Sequence, residues 1–162
     1  MMLVITVIIM LILVAFAVFY SRNTAVEATI ATAYTSLKEV KNACARALFE
    51  IELDPSTYDE YYFFGRSIQL DGSDVADLTE RCGGSSEVSF SNRTYKISDS
   101  TDDENKRRLE RLEITQIHNT YIVDLENNKF YLLDGVKRAN DTKVYEYRDI
   151  ELLYTDLLTP TK

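Results

Sequence analysis

Histidine is almost missing from this chain: His118 stands alone, beside Asn119 at a predicted strand end. A histidine acting as general base needs a placed partner, and a zinc site needs several ligands at set spacing. Neither a nucleophile elbow nor such a spacing accompanies His118. Glycine is also scarce, with five in 162 residues. The one glycine pair, Gly83-Gly84, has no Lys after it and no strand before it, which excludes a phosphate-cradling loop. Runs of basic residues are missing too. Eighteen Lys and Arg stand against 26 Asp and Glu, for a formal net charge of −8 and a pI near 4.7. That balance repels phosphate backbones and anionic headgroups, so no nucleic-acid partner is expected. With no catalytic residues and no cofactor motif, the chain is predicted not to be an enzyme.

Proline and glycine are both absent from Ser21 to Leu53, and the first proline, Pro55, follows Asp54. The stretch is rich in Ala, Glu, Lys and Leu. Val26, Ile30, Ala33, Leu37, Val40, Cys44, Ala47 and Ile51 recur at alternating spacings of four and three, a helical apolar stripe. Pro55 predicts the stop. Before it, Met1 to Tyr20 is an unbroken apolar run in which Thr6 is the only clearly polar side chain. Twenty helical residues cover roughly 30 Å, the thickness of a bilayer's hydrocarbon core. No basic region precedes the run and no A-x-A-like exit follows it, so it is predicted to be retained rather than cleaved as a secretory signal. One helix is therefore expected from Met1 to about Leu53, apolar all round over residues 1–20 and amphipathic over 21–53. Residues 54–162 are then left for a single globular head.

Two readings of the stripe stay open. Its 3.5-residue period fits a coiled-coil seam in a membrane-tethered dimer. Two of its eight positions are Ala and one is Cys44, which make weak knobs, and this favours a helix docked on its own domain.

Past Pro55 the pattern changes. Tyr58, Tyr61, Tyr62, Phe63 and Phe64 form an aromatic cluster, expected to be a lid over the helix–sheet core. A short helix is predicted over Asp74–Arg81, and Val88, Phe90, Tyr95 and Ile97 flank Asn92-Arg93 as a hairpin. Asp99, Asp102, Asp103 and Glu104 lie in an acidic loop that is a weak calcium candidate, without the glycine or spacing of an EF-hand. A half-buried strand is predicted over 109–116. Strands over Thr120–Leu125 and Lys129–Leu133 are joined by Glu126-Asn127-Asn128. Asp134-Gly135 is expected to open a turn, Lys143–Tyr147 to form another strand, and Ile150–Leu158 to pack back. The fold class is α+β, a long helix on a small antiparallel sheet. Outside a reducing compartment Cys44 and Cys82 can tie helix to head; Cys44 fits equally well as a small buried hydrophobe.

This layout resembles the type IV pilins and type II secretion pseudopilins. The segment YIVDLENNKFYLLDGVKRANDTKVYEY, Tyr121 to Tyr147, is similar to the final hairpin of pilin-like proteins from Gram-positive anaerobes. The resemblance implies a filament subunit at the cell surface, partnered by copies of itself or related pilins and held in membrane lipid before assembly. Assembly would run through Met1, Val4, Ile5, Ile8, Leu11, Val14 and Val18. The family usually has Glu where this chain has Ile5, carries a basic leader ending in Gly, and often has a proline in the apolar half; all three are absent here. Loss of the Glu fits a minor or tip-proximal subunit.

A helix apolar on every face needs lipid or like helices around it. Exchange between the two is nearly neutral in hydrophobic terms, because lipid tails are as apolar as Leu. The alternative of a different class is a permanent single-pass anchor for an extracytoplasmic accessory or sensor domain, as a coiled-coil dimer or alone. Arg22, Lys38 and Lys41 follow the run, and on the positive-inside rule they would hold the head in the cytoplasm. A removed basic leader reverses that, so the encoded precursor is expected to extend upstream of Met1.

Overall fold

The lack of any helix breaker before Asp54 has its direct consequence in α1, a single helix over Met2–Leu53. At 1.5 Å per residue it is roughly 80 Å long. The computed structural model describes residues 2–68, 80, 90–98, 102–114, 119–137 and 143–159, with the side chains of 2–6, 16 and 18–23 left out. The predicted helix at 74–81, the Gly83–Ser86 break, Val88, Cys82 and His118 therefore lie outside the described residues, Glu80 apart.

After the Pro55 turn comes α2 (Glu60–Phe64), where the sequence offered only an aromatic cluster. Asp59 caps it by accepting the Tyr62 amide at 2.7 Å. Phe63 and Phe64 are buried in the core while Tyr61 is exposed, so one face of the cluster is a lid. Gly65 ends the helix at φ +80 with the Arg108 guanidinium packed on its α-carbon, which leaves no room for a Cβ.

The sheet is antiparallel, with β1 (Thr94–Ile97), β2 (Tyr121–Asp124), β3 (Lys129–Lys137) and β4 (Lys143–Glu146) paired in sequence order. Tyr95 faces Val123, Ile97 faces Tyr121, and Val123 faces Phe130. This register puts Tyr95, Ile97, Tyr121, Val123, Phe130 and Leu132 on the face toward α1. Ile122 and Tyr131 lie on the other face under Phe90. Of the predicted hairpin around Asn92-Arg93, those two residues form a turn and Tyr95–Ile97 lie in β1, which pairs with β2 far along the chain; Val88 on the other arm lies outside the described residues. The β2–β3 connection stands where the strand pattern placed it, with Asn128 at φ +52.

Three expectations are overturned. From Asp102 on, the acidic segment is not a loop: Asp102 caps α3 (Asp103–Arg111), accepting the Glu104 amide. Acidic residues fill its first turn and Arg108 and Arg111 its last, the arrangement that suits the helix dipole. The same helix occupies the start of the strand expected over 109–116, and its chain reverses at Glu113 with φ +56. Leu109 and Leu112, three apart, pack together into the core as a helix turn would place them. Finally, Asp134-Gly135 is no turn. The β3 strand continues through it with a bulge between Tyr131 and Val136 opposite β4, and Gly135 at φ +62 lets the Tyr145 ring sit on its backbone.

The chain closes with α4 (Tyr147–Leu158), which packs back along α1. Ile150 is fully buried. Tyr154 stacks on Tyr34 at 4.1 Å between ring centroids, and Lys41 lies 5.0 Å over the Tyr147 ring. Residue 147 thus sits by 41 and 154 by 34, so α4 runs antiparallel to α1, back toward its apolar half.

Candidate assembly surface

The two halves of α1 meet different surroundings. In the second half the stripe lines the core: Ile30, Ala33, Leu37, Val40, Cys44 and Ala47 are buried, and Val26 and Ile51 pack on them partly buried. Leu37 has no exposed surface at all. The chain's own sheet and α4 cover these residues, so a coiled-coil seam through them would require the head to leave the helix.

Among the described residues, none gives the first half such cover. Val7, Ile8, Ile9, Met10, Leu11, Ile12, Leu13 and Val14 are each about half exposed or more, from Ile12 at 49% to Met10 at 70%. Consecutive helical residues cover the full circumference, so no face of this segment is shielded. Covering the open part of each side chain is worth about 1 kcal/mol, roughly 8 kcal/mol for the eight. Of the predicted assembly residues, Ile8, Leu11 and Val14 share this exposure equally with their neighbours. Met1 and the side chains of Val4, Ile5 and Val18 lie outside the described residues. Among the described residues, no helix is long and apolar enough to cross a membrane.

Early in its second half, α1 also presents a face of small residues. The hydroxyls of Thr29, Thr32, Thr35 and Ser36 each donate to the carbonyl four residues earlier, at 2.8–3.0 Å. These donors are thereby satisfied within the helix, and the face is thin and chemically quiet. At the far end of α4, Leu157 and Leu158 are also exposed, on the side nearest the apolar half.

Two polar centres fix the head, and neither was singled out in the sequence. Asp124 is fully buried. It accepts from the Ser91 amide (2.9 Å) and hydroxyl (2.6 Å) and from the Asn127 amide (3.1 Å) and side-chain amide (2.8 Å). Burial pushes its pKa up, but those donors outweigh it and hold the carboxyl below its usual 3.8. It locks the β2–β3 connection to the approach of β1. Glu60, on α2, is likewise pushed up by burial and pulled further down by bonds from Arg93 and Tyr95. This centre ties α2 to β1. The sequence signal for the first was Asp-x-x-Asn at a hairpin; the second spans more than thirty residues and had none.

Cys44 is a free, buried thiol whose pKa burial raises to about 12; its proposed partner Cys82 lies outside the described residues. Among the calcium candidates, Asp102 and Asp103 sit at the start of α3, and Glu104 pairs with Arg108 (3.5 Å) and Arg111 (3.8 Å). Asp99 lies outside the described residues. Among those described, no three His, Cys, Asp or Glu side chains are grouped to hold a metal. Comparison with protein-family models, curated proteins and solved structures finds no match.

Proposed function

We propose that this chain is a structural subunit of a type IV pilus-like or pseudopilus-like filament, inserted in a membrane before assembly and polymerising through its apolar N-terminal segment. The observation that carries the reading is the contrast along α1. The stripe of its second half is consumed by the chain's own head, while eight consecutive large hydrophobics of its first half are left uncovered by any of the described residues. An uncovered segment of this kind needs lipid or sibling helices. The small, internally satisfied face at Thr29–Ser36 supports close approach of a neighbouring helix beside the head. The resemblance of Tyr121–Tyr147 to a pilin hairpin supports the family. Its partners are then other pilin subunits, and it resides in membrane and at the cell surface.

The test is removal of residues 1–20, followed by light scattering of the remaining chain. A monomer is expected, since Val26–Ile51 packs within the molecule. A dimer through that stripe would instead support the membrane-tethered accessory module.

A further inference from the structure

Across the head from the α4 contact, α2, the end of β1 and α3 enclose a cleft of about 530 Å³. Arg66, Lys96 and Arg108 line it, together with Ser98, Asn105 and the ring of Tyr61; Phe64 and Ile68 supply apolar floor. No carboxylate is among the described lining residues, on a chain whose formal charge is −8. We propose that this cleft binds a small, multiply charged anion with clustered oxygens, a phosphate or polycarboxylate compound, and that it does so whether or not the chain polymerises.

The cations reach the cleft for reasons built into the fold. Lys96 is the one exposed residue of β1, between Tyr95 and Ile97, which point into the core. Arg66 follows the Gly65 reversal that ends α2. Among the described residues, neither Arg66 nor Lys96 has an acidic partner. Arg108 is only loosely neutralised by Glu104 at 3.5 Å, and its Nη1 donates to Asn105 at 3.2 Å. Its Nε is packed against Gly65 and has no hydrogen-bond partner among the described residues, so the donors left for a ligand are those of its two Nη atoms. Gathering three like charges in one concavity is unfavourable until an anion joins them. The Ser98 hydroxyl, the Asn105 amide and the Arg108 fork are donors of the kind that bind clustered oxygens, and the volume is that of a small-molecule site. A polymeric polyanion is excluded by the acidic remainder of the surface; a small one feels mainly the cleft.

The test uses the full chain in uncharged detergent micelles, followed by amide NMR during titration with sodium pyrophosphate and, separately, sodium citrate. Sodium chloride at matched ionic strength is the control. Saturable shifts centred on Lys96, Ser98 and Asn105 are expected with at least one probe, and which probe binds tighter identifies phosphate or carboxylate. The Arg66→Gln/Lys96→Gln double variant, both positions exposed and so harmless to folding, is expected to weaken binding at least tenfold. Shifts that never saturate with either probe, that chloride reproduces, or that persist within tenfold in the double variant overturn the assignment.

Discussion

Replacing Leu37 with alanine asks whether the helix stripe belongs to the molecule's own core. Leu37 sits at the middle of the stripe with no exposed surface. Truncating a fully buried leucine removes its transfer free energy and leaves a cavity, together about 2–5 kcal/mol. With a urea slope of about 2 kcal/mol/M for a head of this size, a loss of 3 kcal/mol lowers the unfolding midpoint by roughly 1.5 M. The chain has eleven tyrosines and no tryptophan, so tyrosine emission in detergent, checked by near-ultraviolet dichroism, reports the transition. Phe49 is the control on the same helix: it is 59% exposed, and Phe49→Ala is expected to change stability by about 0.5 kcal/mol or less. Equal effects of the two substitutions, or a Leu37→Ala effect that disappears on dilution to monomer, would refute the docking of α1 on its own head.

Three further outcomes are expected. Asp124→Asn replaces a carboxylate holding four donors and should cost roughly 2–3 kcal/mol at neutral pH, read by thermal unfolding. Because the Asp124 carboxyl is held below 3.8, its contribution is intact above that value and fades as the pH falls through the lower folded value; the variant's penalty should therefore shrink on acidification, and a penalty constant down to pH 2 would contradict the assignment. Gly135→Ala combines a left-handed backbone with a Cβ 2.6 Å from the buried Tyr145 ring, so a loss of about 2–3 kcal/mol, seen as a melting point lower by roughly 8 °C, is expected. In a Cys82→Ser background, Cys44 should resist iodoacetamide at pH 8 until urea unfolds the head, since burial raises its thiol pKa to about 12; prompt labelling of the folded chain would contradict that burial.

Where one regularity dominated, the fold was legible in the sequence. The 3–4 spacing from Val26 to Ile51, with no helix breaker inside it, locates α1 and its core face. Alternation around an Asn-rich turn locates β2 and β3. Errors arose where two signals competed. Asp-Gly is a strong turn signal, yet at 134–135 the cross-strand pairing beyond it and the Tyr145 ring hold the strand straight through a bulge. Acidic clustering at 102–104 hid a helix start, though the sign change from Asp103-Glu104 to Arg107-Arg108 and the Leu109–Leu112 step were visible. In α4 the spacing of Tyr147, Ile150 and Tyr154 is helical, and the three residues face α1. The exposed apolar half is a direct reading of composition, whereas the Glu60–Arg93–Tyr95 centre and the cationic cleft exist only once distant segments meet.

Cryo-electron microscopy of the native surface assembly from cells that make this chain tests the central claim most directly. Fibres containing the chain are expected, with residues 7–14 packed against sibling helices at the fibre axis and the acidic heads outside. The chain found only as dispersed single copies in membrane, outside any fibre, would contradict it.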